Sequence, residues 1–201
     1  MSAVVYLVRH GRTSLNAAGL LRGHVDVPLD ERGWFQARRL GKLFDGVTAT
    51  VVLASPLKRA TETAGPIAAA TGATTIVEGD LIDRDYGPWA GRSAEEVEAR
   101  WRSIDSAPEI EPRDAFTARV TLALERLVDR LPAGGTGIVV AHEAVNQVAL
   151  AGLVPELGGD PWSIRQRTGC WNRLEVVTDG AWRAPVVDAV PGDGRRPVPG
   201  A

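Results

Sequence analysis

Short apolar runs that stop abruptly at a polar residue are the clearest pattern in this chain. Three of them, rich in β-branched residues, cover 3–8, 51–54 and 138–141. The first is followed by Arg9 and His10, the second by Ser55 and the third by His142. Short, uninterrupted apolar runs are typical of strands buried on both faces of a sheet. We therefore predict three parallel strands whose polar ends meet at one edge.

The segments between these runs have the spacing and the end signals of helices. We predict a helix over 31–44 with Asp30 as its N-cap. A second helix is predicted from Ser55, acting as N-cap, to about Ala70. Further helices are predicted at 94–101 and along the apolar positions Phe116, Val120, Leu124, Leu127 and Leu131.

The region from about 79 to 112 interrupts this alternation. It is the least regular part of the chain, and we predict that it forms a small irregular insertion that covers the site. Of the tryptophans, Trp34 is assigned to the core, and the candidates for the pocket rim are Trp89, Trp101, Trp162 and Trp171.

A hairpin is predicted near the end of the chain. Its strands are 172–177 and 182–187, and Asp179-Gly180 forms the turn. Together with the preceding alternation of strands and helices, this pattern predicts an α/β fold. We expect a three-layer sandwich in which a mixed, mostly parallel sheet is flanked by helices and carries a small irregular cap insertion.

The composition indicates a single globular unit. Of the 201 residues, 44% are hydrophobic and 24% are charged, which is ordinary for a globular protein. We predict one catalytic domain over 1–190, followed by a disordered tail rich in Pro and Gly over 191–201. The net charge of −2 favours neither nucleic acid nor an anionic membrane as a partner.

Cysteine content and hydropathy favour a cytoplasmic location. The single cysteine, Cys170, excludes an intramolecular disulfide and fits a reducing compartment. No apolar stretch approaches the roughly 20 residues needed to span a bilayer. The first apolar run lacks a preceding basic region and leads directly into Arg9, so we interpret it as a strand rather than a signal peptide.

The polar residues at the strand ends have the chemistry of an oxyanion site. Ligands of open α/β sheets bind outside the carboxyl ends of the strands, where Arg9, His10 and His142 are expected to converge. Arg59 is predicted in the first turn of a helix, where free N–H groups already favour an anion. Guanidinium groups bind phosphate with charge-assisted hydrogen bonds. We therefore predict a phosphate site.

The same residues carry a family resemblance. Residues 9–16, Arg-His-Gly-Arg-Thr-Ser-Leu-Asn, resemble the RHG signature of the histidine phosphatase superfamily, which includes the cofactor-dependent phosphoglycerate mutases. Further blocks that are similar to those of the family follow in family order, at 23–29, 55–64, 81–91 and 141–142. The resemblance implies a metal-independent phosphomonoesterase that acts on a small phosphate ester through a phosphohistidine intermediate.

The resemblance also implies a role for each matching residue. His10 would be the nucleophile, and Asp83 would be the proton donor. Arg9, Arg59 and His142 would stabilise the transferring phosphoryl group. Substrate-binding roles fall to Asn16, Arg22, Gly23 and Glu143. For Asn16, turn formation explains the residue almost as well. No cofactor is implied, and the absence of HExxH, paired CxxC and Walker-type motifs gives no support to a metal or nucleotide site.

Two alternatives stay open for the proton donor and for the reaction. Asp83 stands where the family usually has glutamate, and Glu143 stands where many members have glycine, so either carboxylate is a candidate acid. The stretch 143–145 resembles the fructose-2,6-bisphosphatase branch of the family. This resemblance favours a hydrolase over a mutase. A mutase that returns the phosphoryl group to a second hydroxyl is the first alternative function, and an inactive module that binds a phosphorylated ligand is the second.

Overall fold

A six-stranded sheet forms the centre of the computed structural model, which describes residues 3–177 and 180–198. Across the sheet the strands lie in the order β3 (Thr75–Val77), β2 (Val51–Ala54), β4 (Thr136–Ala141), β1 (Ala3–Arg9), β5 (Trp171–Val176) and β6 (Trp182–Ala189). The first four strands are parallel to one another, and β5 and β6 pair antiparallel. The prediction of a mixed, mostly parallel sheet is confirmed.

Helices connect the parallel strands. They are α1 (Ser14–Ala17), α2 (Glu31–Phe44), α3 (Lys58–Thr71), α4 (Ala94–Trp101), α5 (Arg113–Arg130) and α6 (Glu143–Leu153). The helices predicted over 31–44 and 94–101 are confirmed, and Asp30 caps α2 by accepting from the backbone N–H of Gly33 at 2.8 Å. The helix predicted to start with Ser55 as N-cap begins only at Lys58.

Helices cover both faces of the sheet. Because neighbouring residues of a strand point to opposite faces, Tyr6 and Val8 pack in one core with Phe44 of α2 and with α3. Their neighbour Leu7 packs in a second core with Phe116 of α5 and with α6. The three-layer α/β architecture is therefore confirmed, and the central strands are buried on both faces.

The register of the parallel strands aligns their carboxyl ends. Arg9 of β1 pairs with Ala141 of β4, and Ala54 of β2 pairs with Val140 of the same strand. The residues that follow these strand ends are His10, Ser55 and His142, so they start at the same level of one sheet edge. This placement confirms the expectation drawn from the apolar runs.

The segment between β3 and α5 is irregular, as predicted for 79–112. It consists of short 3₁₀ turns and α4, with no strand among its residues. One of its glycines, Gly87, has a φ of +49°, and a side chain there would collide with the backbone oxygen of Glu109. No helix among the described residues is both long enough and apolar enough to cross a membrane.

The C-terminal part forms the antiparallel edge of the sheet. β5 and β6 pair as the hairpin predicted there, although Asp179 of its predicted turn lies outside the described residues. Beyond β6 the chain returns to the sheet, because the hydroxyl of Tyr6 donates to the Val198 carbonyl and accepts from its N–H, each at 3.1 Å. The division into a domain over 1–190 and a disordered tail stays a prediction.

Candidate active site

His10, directly after β1, is held with one ring nitrogen free. Its Nδ1 lies 2.7 Å from the backbone oxygen of Gly11, and because a carbonyl only accepts, Nδ1 carries the proton. Its Nε2 is buried and has no hydrogen-bond partner among the described residues. Burial is the main cause that holds the pKa of His10 well below its usual value, and His142 and Arg59 add to the effect. The ring is neutral, with its lone pair on Nε2.

His142, directly after β4, is fixed in the opposite tautomer. The Nε of Arg59 donates to its Nδ1 at 3.2 Å, so the proton lies on Nε2, which donates to the hydroxyl of Ser55 at 2.7 Å. Burial first, and then the charge of Arg59, hold the pKa of His142 well below its usual value. The ring centroids of His10 and His142 are 5.2 Å apart. Two neutral imidazoles therefore lie next to each other in the site.

Arg59, in the first turn of α3, is fully buried and joins several parts of the site. Besides His142, its guanidinium donates to the backbone oxygens of Gly23 and Val25, each at 2.8 Å, and to a carboxylate oxygen of Asp83 at 3.1 Å. These contacts use four of its five N–H groups, so among the described residues one Nη1–H is left for an oxyanion.

Asp83 reaches the cluster from the irregular segment after β3. Its side chain is 1% exposed, and Oδ2 lies 3.1 Å from Arg59 and 3.8 Å from the Nδ1 of His142. Its Oδ1 accepts from the backbone N–H of Arg84 at 3.0 Å. The carboxylate is thus held within the cluster that contains both histidines, although it is one methylene shorter than a glutamate.

Glu143, the first residue of α6, joins two arginines. Its Oε2 lies 2.9 Å from Nη2 of Arg9 and 3.1 Å from Nη2 of Arg22. The Nε atoms of both arginines are buried without a hydrogen-bond partner among the described residues. A single carboxylate therefore bridges two guanidinium groups at the edge of the cluster, and one positive charge in this group of three is left uncompensated.

Gly23 and Asn16 hold the loops that border the cluster. Gly23 has a φ of +48°, and a Cβ there would lie 3.2 Å from Tyr86 and from the backbone oxygen of Arg84. The Oδ1 of Asn16 accepts from the N–H and the hydroxyl of Thr13, at 3.0 and 2.9 Å, in a capping box of α1. The observed hydrogen bonds of Asn16 belong to the turn, and its substrate-binding role stays a prediction.

The structure thus brings together most of the residues singled out from the sequence. Contacts link Gly23, Arg59, Asp83 and His142 in one group and Arg9, Arg22 and Glu143 in a second, and His10 lies beside His142. The assignment of Ser55 as the helix N-cap is wrong, since α3 begins at Lys58 and Leu57 is its N-cap. The Ser55 hydroxyl accepts from the N–H of Leu57 at 3.4 Å and from His142 at 2.7 Å.

Two supporting residues were missed. Thr63, one turn after Arg59, accepts from the N–H of Gly11 at 3.0 Å and donates to the Arg59 backbone oxygen at 2.7 Å. Its spacing from Arg59 is the signal that could have identified it. The backbone oxygen of Gln166 accepts from Nη1 of Arg9. Gln166 lies in an irregular segment, where the sequence carries no comparable signal.

A cavity of about 460 Å³ adjoins the cluster. Arg22, Tyr86 and Glu143 belong to its lining, and the remaining lining comes from the loop around Leu20 and from the irregular segment before α5. Within 3–177 and 180–198, no three His, Cys, Asp or Glu side chains are grouped in a way that could hold a metal ion.

Comparisons with known proteins assign the family. The model of the histidine phosphatase superfamily (branch 1) matches residues 5–187. The adenosylcobalamin/alpha-ribazole phosphatase of Salmonella typhimurium is 31% identical, over 86% of this chain and 90% of the relative. A protein of Shigella boydii named as a probable phosphoglycerate mutase is 34% identical, over 81% of this chain and 78% of that relative.

Solved structures agree with this assignment. The alpha-ribazole phosphatase from Shigella flexneri superposes with a TM-score of 0.79 at 27% identity, and the match covers 92% of this chain and 96% of that one. The chain therefore belongs to the histidine phosphatase superfamily. The resemblance read from the RHG signature is confirmed, and so is the prediction of a phosphatase.

Proposed function

We propose that this protein is a metal-independent phosphomonoesterase that hydrolyses a small phosphorylated metabolite through a phosphohistidine on His10. The observation that carries the proposal is the state of the His10 ring. Its Nδ1–H is held by the Gly11 carbonyl, and its Nε2 is neutral, buried and without a partner among the described residues. A nucleophilic imidazole needs such a lone pair, with the other nitrogen anchored.

In the first step Nε2 of His10 attacks phosphorus, and the bond from phosphorus to the ester oxygen breaks. Asp83 delivers a proton to that oxygen, so the product leaves as a neutral alcohol. The position of Asp83 in the buried group that contains Arg59 and His142, at 3.1 and 3.8 Å, supports this role. Glu143 is less suited, because its carboxylate is held by two arginines at the edge of the cluster, against one arginine for Asp83.

Charge on the transferring phosphoryl group is stabilised by donors that surround the two histidines. Arg9 and Arg22 exchange Glu143 for phosphate oxygens, and Arg59 offers its remaining N–H. The Nε2–H of His142, which donates to Ser55, also donates a hydrogen bond to a phosphate oxygen when substrate is bound. Positioned cationic and N–H donors of this kind supply most of the catalysis in phosphoryl transfer.

In the second step water attacks phosphorus and releases His10. Asp83, now a carboxylate, accepts the proton of the attacking water, and inorganic phosphate leaves. The acid is thereby restored for the next turnover, so the cycle consumes one water for each ester. No step requires a metal ion.

A small-molecule ester is proposed as the partner, with a cytoplasmic location. The named relatives act as an alpha-ribazole phosphatase and as a probable phosphoglycerate mutase, which are enzymes of small phosphorylated metabolites. The net charge of −2 gives no attraction to nucleic acid or to an anionic membrane.

Release of inorganic phosphate from a panel of phosphomonoesters tests the proposed function. The assay omits bisphosphoglycerate, and a parallel assay follows isomerisation of 3-phosphoglycerate in its presence. Phosphate release that is lost in His10→Ala supports hydrolysis. Faster isomerisation than hydrolysis would assign the mutase instead, and phosphate-ester binding without any turnover would assign an inactive binding module.

A further inference from the structure

The cavity beside the cluster lies where the alcohol part of a substrate would extend. Arg22 and Glu143 line it, and both belong to the group of charges around Arg9. A phosphoryl group held at His10 and Arg9 would therefore point its ester oxygen toward this space. With about 460 Å³, the cavity is large enough for a ring-sized alcohol.

One side of the cavity is apolar. Half-buried side chains of Leu20, Leu21, Ile104 and Trp162 line it. Leu20 and Leu21 come from the loop after α1, Ile104 from the segment before α5 and Trp162 from the segment after α6. Together they form an apolar wall on one side of the cavity. Such a wall stabilises an alcohol that carries apolar surface.

Both arginines that line the cavity are already paired, so neither is free to bind an anionic group in the alcohol part of the substrate. Arg22 is paired with Glu143 at 3.1 Å, and Arg84 is paired with Asp105 at 2.5 Å. Arg84 also donates to a backbone oxygen at 2.9 Å and lies over a tryptophan ring. Glu98, in contrast, has no ion-pair partner among the described residues, and it lines the same cavity. Counting only the residues that line the cavity, two arginines (Arg22 and Arg84) stand against three carboxylates (Glu98, Asp105 and Glu143), so the lining carries one more negative than positive charge.

That excess rests on Glu98. Asp105 is compensated twice, because Arg113 also lies 3.3 Å from it. When phosphate displaces Glu143 from Arg9 and Arg22, a second uncompensated carboxylate faces the cavity. An anionic group in the alcohol part of a substrate would be desolvated here among like charges.

We propose that this cavity is the leaving-group subsite, and that it selects phosphate monoesters of neutral or cationic alcohols with apolar, ring-sized surface. Esters whose alcohol carries a carboxylate or a second phosphate are rejected. The proposal rests on the proposed phosphatase function and specifies the substrate class of that site. It separates this protein from enzymes whose substrate is a phosphorylated acid.

Three matched esters test the selection by charge. Benzyl phosphate, 4-(aminomethyl)benzyl phosphate and 4-carboxybenzyl phosphate share the reacting bond and differ at the far end of the ring. We expect kcat/KM for the neutral and the cationic ester to exceed that for the carboxylate ester by about two- to fivefold, the size of one partly screened charge interaction. The ratio should shrink at high ionic strength.

A charge reversal on α4 locates the effect. Glu98→Lys should raise kcat/KM for 4-carboxybenzyl phosphate relative to benzyl phosphate by at least about threefold, because it supplies the missing cation. Glu95→Lys makes the same change on the same helix at an exposed residue outside the cavity lining, and its ratio should equal that of the parent protein. Both residues are exposed, so both variants should fold, which their unfolding temperatures check.

Equal kcat/KM for the three esters, or an equal response of the ratio to Glu95→Lys and Glu98→Lys, would overturn the subsite while leaving the phosphatase function intact. Preference for the carboxylate ester would overturn it as well. If other esters of the panel are hydrolysed and none of these three is, the subsite is overturned alone; if no ester of the panel is hydrolysed, the proposed function is overturned, and the subsite with it.

Discussion

The guanidinium of Arg59 donates from Nε to Nδ1 of His142 at 3.2 Å, and this contact sets the protonation of the second histidine. It leaves Nδ1 as an acceptor and the Nε2 proton as the donor that faces Ser55 and, in our account, phosphate. Because the same arginine contacts Asp83, the acid and the second histidine share one anchor. Arg59 therefore organises the site in addition to offering charge.

The first prediction separates the two candidate acids. Asp83→Asn should lower kcat/KM for an alkyl phosphate by about 10²–10⁴-fold, because an alkoxide leaves poorly without a proton. Hydrolysis of 4-nitrophenyl phosphate should be largely spared, since 4-nitrophenolate leaves without protonation. Steady-state kinetics on both esters measure the difference, and circular dichroism checks that the variant is folded.

Glu143→Gln is the matched control for that experiment. It removes the other carboxylate, and we expect similar changes for both esters and tighter binding of inorganic phosphate to Arg9 and Arg22. If the dependence on leaving group appears in Glu143→Gln and not in Asp83→Asn, the proton donor is Glu143.

The second prediction concerns the titration of His10. Its pKa is lowered by burial and by its positive neighbours, so the ring should stay neutral below the ordinary value of 6.5. An NMR titration of the folded protein should therefore show no protonation of His10 from about pH 8 to 6, the range in which an unperturbed histidine titrates. The same resonance in denaturant should titrate near the ordinary value. Protonation of the folded ring at or above pH 6.5 contradicts the account.

The same shift makes stability depend on pH. Below about pH 6.5 the unfolded chain takes up protons on His10 and His142 that the folded protein excludes. The free energy of unfolding should then fall as pH decreases, by up to about 1.4 kcal/mol per pH unit for each histidine. Urea unfolding at pH 7 and 5 measures the loss, and His10→Gln should show a smaller one. An equal or larger loss in that variant would argue against a neutral, buried His10.

A third prediction concerns the close approach of α2 to the loop after His10. A Cβ at Gly33 would lie 2.1 Å from the backbone oxygen of Arg12, so Gly33→Ala should destabilise the protein by about 2 kcal/mol or more. Gly152→Ala is the control, because its Cβ meets only ordinary contacts near 3.8 Å on an exposed helix position. That variant should be neutral or stabilised by up to about 1 kcal/mol. Urea midpoints compare the two.

A fourth prediction is that turnover survives exhaustive chelation. The proposed steps use only histidine, arginine and carboxylate groups, and the described residues hold no cluster of potential metal ligands. Phosphate release after dialysis against EDTA should equal that of the untreated protein. Loss of activity that added Mg²⁺ restores would refute the metal-independent mechanism.

The central layers of the fold were predictable because the sequence signals were local. The apolar runs identified β1, β2 and β4 correctly, since a strand buried on both faces needs no polar alternation. The helix over 31–44 was predicted with its observed bounds, because Asp30 is both a favourable N-cap residue and the residue that caps it. Both signals depend on residues close in sequence.

Ser55 shows why part of the site was not predictable. As a serine before a proline and an apolar helix, it has the local pattern of an N-cap. In the structure its hydroxyl accepts from the N–H of Leu57 at 3.4 Å and from His142, 87 positions away in the sequence, at 2.7 Å, and α3 starts at Lys58. The local pattern accounts for the contact with Leu57, but no local pattern reveals the partner in His142.

The tryptophans show the same limit for burial. Trp34, which we assigned to the core, is 37% exposed, whereas Trp171, assigned to the pocket rim, is fully buried between Tyr6 and Phe44. Trp162 does line the cavity. Which face of a helix or strand turns inward depends on its neighbours in the fold, and residue type alone does not determine it.

Direct detection of the covalent intermediate tests the central claim most sharply. After rapid mixing with substrate and quenching without acid, mass spectrometry of the digested protein should find phosphate on Nε2 of His10. His10→Ala should retain its fold, carry no phosphate and have no measurable turnover. Phosphate on another residue, or substantial hydrolysis by folded His10→Ala, would contradict the account.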